Sequence, residues 1–74
     1  MDVDVTLYPP LQYKRFHRAV VPLMEAATID TLLEHLTIKQ YEVGSVYVNR
    51  ETSSFNHVLR DGDYVVLLPL IGGG

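Results

Sequence analysis

The stretch TIDTLLEHL constrains this chain most, because it is the clearest helical segment in it. Ile29, Leu32, Leu33 and Leu36 recur at i, i+3, i+4 and i+7, so they line one face of a helix. Thr28 is a good N-cap, and Asp30 in the first turn suits the positive end of the helix dipole. The spacing predicts a helix over residues 29–36. A stripe this short needs a sheet to lie on, and the flanking sequence supplies strands.

Before the helix, DVDVTLY alternates strictly. Val3, Val5 and Leu7 fall on one face, and Asp2, Asp4, Thr6 and Tyr8 on the other, which is the pattern of a half-buried strand. Pro9 and Pro10 stop it, LQYKR reads as a loop, and FHRAVVPLM resumes an apolar run broken by Pro22. A proline sits badly in a central strand, so this second strand is expected at a sheet edge, as the return arm of a hairpin. After the helix, GSVYVNRE reads as one strand with Val46 and Val48 on a shared face, and a short strand is allowed near Phe55. Asp61-Gly62-Asp63 is a turn signal. YVVLLPLI, residues 64–71, is the last strand; almost every position is apolar, so both of its faces call for cover.

The order is strand, strand, helix, strand, strand: an α+β chain on the ubiquitin-like β-grasp plan, a mixed sheet with one helix packed across one face. The first and last strands are then expected side by side at the centre, with Val3, Val5 and Leu7 meeting the Leu67 region beneath the helix. The division expected is a domain over residues 1–68 and a flexible tail over 69–74.

Composition narrows the function. With 74 residues the chain is one small domain. It has no cysteine, so it forms no disulfide and offers no thiolate of its own, which suits a reducing compartment. The net charge of −3 argues against a nucleic-acid partner. No apolar run is long enough to span a membrane, and MDVDV lacks the basic-then-apolar plan of a signal peptide; a cytoplasmic protein is expected. His17, His35 and His57 have no ligand spacing, so no metal is expected. Lys14, Arg15, His17 and Arg18 read as a solvated hairpin edge, and the tyrosines as amphipathic cover for the sheet.

The ending DGDYVVLLPLIGGG resembles the C-terminus of the small sulfur carriers of molybdopterin and thiamin biosynthesis, the MoaD/ThiS group: a late Asp-Gly-Asp turn, a hydrophobic strand and a terminal Gly-Gly at a fixed distance. VYVNRE is similar to the Val-x-Val-Asn stretch of that group's third strand, while Pro69 and the early LYPPL lean toward the molybdopterin branch. Thiamin-type carriers, tungsten-cofactor relatives and ubiquitin-like modifiers stay open. The resemblance implies a carrier or co-substrate rather than an enzyme. It implies that the Gly74 carboxylate is adenylated with ATP by an E1-like enzyme. A persulfide or sulfide donor then converts it to a thiocarboxylate, which passes sulfur to an accepting synthase or synthase large subunit. The chain itself would bind no cofactor. The alternative is a modifier joined through Gly74 to target lysines.

The residue choice has a physical reason. A terminus that enters a site closed to water must be thin, and Gly72 and Gly73 before Gly74 let the backbone approach closely and take any φ. Residues 69–74 could span roughly 20 Å when extended. Ordering glycines is costly, so a docking face must supply the affinity. An apolar patch left on the open side of the sheet would serve, and Val66, Leu68, Leu70 and Ile71 are the candidates.

Overall fold

The computed structural model describes residues 1–71. The elements are β1 (Asp2–Leu7), β2 (Arg18–Pro22), α1 (Ile29–Leu36), a 3-10 turn (Gln40–Glu42), β3 (Val43–Val48), β4 (Glu51–Thr52) and β5 (Tyr64–Pro69). They form a five-stranded mixed sheet in the order β2-β1-β5-β3-β4. β1 pairs parallel with β5, placing Val5 beside Val65 and Leu7 beside Leu67. Every other pairing is antiparallel. This is the ubiquitin-like β-grasp plan, with the first and last strands adjacent at the centre.

The core lies between the sheet and α1. Val3, Val5, Leu7, Ile29, Leu32, Val65 and Leu67 are all fully buried. Burying each such side chain stabilises the fold by roughly 1.5–3 kcal/mol. The helix occupies the residues its apolar spacing predicts. Thr28 and Thr31 form a reciprocal cap, with Thr31 N–H donating to Thr28 Oγ1 at 3.2 Å and Thr28 N–H donating to Thr31 Oγ1 at 3.0 Å. The first turn is held further by the loop before β5, since Ile29 N–H donates to His57 O and Asp30 N–H to Phe55 O. That loop sends Leu59 into the core.

Pro22 ends β2 at the sheet edge, as its missing N–H requires. The stretch GSVYVNRE differs from the expectation of a single strand. It turns back at Asn49 and Arg50, whose φ values are 51° and 72°, and Glu51–Thr52 returns as the short strand β4 against Val48 and Tyr47. The strand near Phe55 is replaced by this earlier one and by an isolated bridge between Thr28 and Val58.

Candidate functional site

β5 carries the candidate site. It lies between β1 and β3, and its side chains alternate in environment. Val65 and Leu67 point under the helix, while Val66 and Leu68 are half-buried on the side α1 leaves open. Sequence parity could not assign the two faces; the register with β1 does, because Val65 pairs with the buried Val5. On the open face Val66 sits in a row with Thr6 and Arg18 on one flank and Tyr47 and Thr52 on the other. Leu68 lies beside Ser45. Beyond the strand, Leu70 and Ile71 are 63% and 87% exposed. The four apolar candidates therefore belong to one continuous piece of chain, with the outward strand positions leading into the exposed pair. Gly72, Gly73 and Gly74 lie outside the described residues.

The opposite end of the open face is polar. Arg18 donates to both carboxylate oxygens of Asp4, at 3.0 and 2.7 Å. Its guanidinium lies 5.1 Å from the Tyr64 ring centroid, and Tyr64 Oη and Thr6 Oγ1 are hydrogen-bonded at 3.1 Å. The Arg18 hydrogen bonds hold the Asp4 carboxyl below its ordinary pKa. Thr6 is thereby 7% exposed despite its place on the open side. The face thus grades from an ion pair at β2 to bare aliphatic surface at the end of β5.

Contacts on both flanks fix the exit of β5. On one side Tyr8 N–H donates to Leu67 O at 3.1 Å; on the other Leu70 N–H donates to Glu42 O at 2.9 Å. Pro69, placed by the sequence in the tail, still pairs with Val43. The ladder with β3 shifts register between Val43 and Ser45, around Gly44. A Cβ on Gly44 would lie 2.7 Å from Pro69 O and 2.9 Å from Leu70 Cα. In the sequence Gly44 marks only a strand start; a glycine inside a strand pattern is a general signal of close backbone approach.

The basic cluster near Lys14 is not a patch. Arg15 is spent on backbone carbonyls, with Nε on Leu36 O at 2.9 Å and its terminal nitrogens on Leu11 O at 2.9 Å and Thr37 O at 2.8 Å. Arg18 is paired, Lys14 lies over the Tyr13 ring, and His17 is exposed. Of the tyrosines, Tyr47 and Tyr64 cover the sheet, whereas Tyr13 and Tyr41 are exposed at 68% and 77%. Among the described residues no group of three or more His, Asp or Glu side chains could hold a metal ion, and no helix is long and apolar enough to cross a membrane.

A five-stranded mixed sheet with one helix across one face and its first and last strands paired at the centre defines a ubiquitin-like β-grasp protein. The ThiS family model matches residues 7–74, and the chain belongs to that family of ubiquitin-fold sulfur carriers. No curated protein matches the sequence. Among solved structures, the fold is similar to small archaeal modifier protein 1 of Haloferax volcanii (TM-score 0.79, 18% identity, covering 95% of this chain and 98% of that one). It is similar to a protein described as molybdopterin converting factor subunit 1 from Pyrococcus furiosus (TM-score 0.78, 21% identity, covering 96% and 99%). It also resembles a chain in the complex of subunits 1 and 2 of molybdopterin-converting factor from Helicobacter pylori (TM-score 0.63, 22% identity, covering 100% of both). At these identities the likeness is one of fold.

Proposed function

We propose that this protein carries sulfur on the carboxylate of Gly74 for cofactor biosynthesis, of molybdopterin or of thiamin. The observation that supports this most is the joining of two features on one strand: β5 presents Val66 and Leu68 on the open face and continues through Leu70 and Ile71 to the glycines. The family match extends through Gly74.

In this reading the open face docks on an E1-like adenylating enzyme. A Gly74 carboxylate oxygen attacks the α-phosphorus of ATP, pyrophosphate leaves, and an acyl-adenylate forms. Sulfide then attacks the acyl carbon and expels AMP, leaving a thiocarboxylate. When the donor is a persulfide, the acyl disulfide formed first is cleaved by a second thiol, which leaves as a disulfide with the donor. The chain contains no cysteine, so the sulfur and the thiol come from partners. ATP is consumed by the activating enzyme, and this chain acts as co-substrate without a resident cofactor. On an accepting synthase or its large subunit the thiocarboxylate sulfur forms its new bond to a precursor, and water attacks the acyl carbon, breaks the C–S bond and restores the Gly74 carboxylate. The fold likeness to the two-subunit Helicobacter pylori complex supports that partner. The cytoplasm, which supplies ATP and free thiols, is the proposed setting.

A second reading has its own support in the equally good fold likeness to the archaeal modifier. There a lysine amine on a target protein expels AMP, and Gly74 ends in an isopeptide bond.

The deciding experiment is intact mass spectrometry of the protein from its own host, with fragmentation of the C-terminal peptide. Exchange of one oxygen for sulfur at Gly74 is the expected result. An amide from Gly74 to another protein would favour the modifier, and a chain lacking Gly74 that is still thiocarboxylated would sink the carrier reading.

A further inference from the structure

We propose that Gly44 is a positioning residue for the reactive tail, a role that rests on the carrier reading above. Lacking a side chain, it lets the backbone of Pro69 and Leu70 lie directly against β3, which sets where the thread of residues 71–74 begins.

The contact is between main chains. A methyl group at position 44 would meet Pro69 O at 2.7 Å, Leu70 Cα at 2.9 Å and the Pro69 carbonyl carbon at 3.1 Å. None of these atoms can yield by changing rotamer, so the strand end itself would have to move. Its anchor there is the Leu70 N–H···O=C Glu42 bond at 2.9 Å, one residue past the end of β5. Gly44 is itself exposed, and the core residues Val43 and Val46 on either side of it point inward. The close approach therefore serves the end of β5 rather than the filling of the core.

The consequence is one of length. Held at Leu70, the chain has four residues beyond the anchor, 71–74, which extend to about 13–14 Å. Released back to Leu68, it has six, 69–74. Each added residue must be ordered when the terminus threads into a partner, and the probability of the threaded state falls about five- to thirtyfold per residue. Docking through Val66 and Leu68, which stay in the β5 ladder when Leu70 is released, does not require the clamp. Loss of the clamp therefore reduces the fraction of docked complexes with Gly74 in place, which lowers kcat and leaves KM nearly unchanged.

The test compares wild type with Gly44→Ala in ATP–pyrophosphate exchange with the host's E1-like enzyme, using Mg-ATP and labelled pyrophosphate. Amide exchange at Leu70 is measured in parallel. The expected result is a protected Leu70 amide in wild type, loss of that protection in Gly44→Ala, a fall in kcat of about tenfold or more, and a KM within about threefold of wild type. An unchanged kcat, or a rise in KM alone, would overturn the proposal. If Gly44→Ala does not fold, wild type decides, since free-peptide exchange at Leu70 would mean that no clamp exists. If wild type supports no exchange with ATP, the carrier reading falls and takes this role with it; Leu70 protection distinguishes that outcome from failure of the clamp alone.

Discussion

Asn49 holds Tyr64 by both main-chain groups: its N–H donates to Tyr64 O at 2.8 Å, and its side-chain Oδ1 accepts the Tyr64 N–H at 2.9 Å. Its Nδ2 also donates to Asp63 Oδ1 at 2.9 Å. The asparagine thus ties the β3–β4 turn to the start of β5 while sitting at φ 51°, a conformation asparagine tolerates better than most residues. Asn49→Ala is expected to lose about 2 kcal/mol of stability, from two exposed side-chain hydrogen bonds and the strained backbone. Urea unfolding measures it.

Arg15 joins the loop after β1 to the C-terminal end of α1, where Leu36 O and Thr37 O have no further helical turn to bond to. Arg15→Ala is expected to destabilise by about 2 kcal/mol. Arg15→Lys should recover less than half of that, because an ammonium cannot reproduce the planar fork. Thermal melts of the two variants check both the loss and the ranking.

Gly62 and Gly44 make opposite demands. At Gly62 a Cβ would touch nothing within 4 Å, but φ is +85°. Gly62→Ala should therefore cost about 1–2 kcal/mol through backbone conformation alone. Gly62→Asn should cost less, since asparagine visits that region readily. An alanine variant as stable as wild type in chemical denaturation would show that the turn relaxes to another conformation.

The Asp4 carboxyl has its pKa lowered first by the Arg18 hydrogen bonds. A depressed folded-state pKa contributes stability above the unfolded value, about 4, and that contribution is lost as pH falls through the folded value. Carboxyl NMR titration should place Asp4 below the ordinary range and return it toward that range in Arg18→Ala. Salt should weaken the effect, because the pair is exposed.

Leu68→Glu tests the open face. Leu68 is half-buried on the side away from α1, so the variant should fold. Its affinity for the proposed E1-like partner, measured calorimetrically, is expected to fall by about tenfold or more. Wild-type affinity would remove Leu68 from the docking surface.

Much of the fold could be read because its signals are local. The alternation in β1 and the 3.6-residue period of α1 each sit within a few residues, and Pro22 marks its own edge position. The turn at Asn49 and Arg50 reads as strand in the sequence because it holds no glycine, and an arginine at φ 72° carries no compositional mark. Arg15 reads as solvated in the sequence because its acceptors on Leu36 and Thr37 are 21 and 22 residues away. Separation in sequence also hides Gly44, whose neighbours Pro69 and Leu70 meet it only after β5 pairs with β3. In the site, the apolar excess of the last strand was legible, whereas its division into an inner and an outer face required the pairing of Val5 with Val65.

The central placement of β5 has a mechanical consequence. It is bonded to β1 on one side and β3 on the other. A partner that grips the chain beyond Ile71 and pulls along the strand loads both ladders in shear, many bonds at once, instead of peeling them singly. A force strong enough to draw the terminus from a tight channel would therefore meet the resistance of the whole domain. The body of the protein can act as a rigid handle, so that release happens at the partner's grip and the strand stays seated.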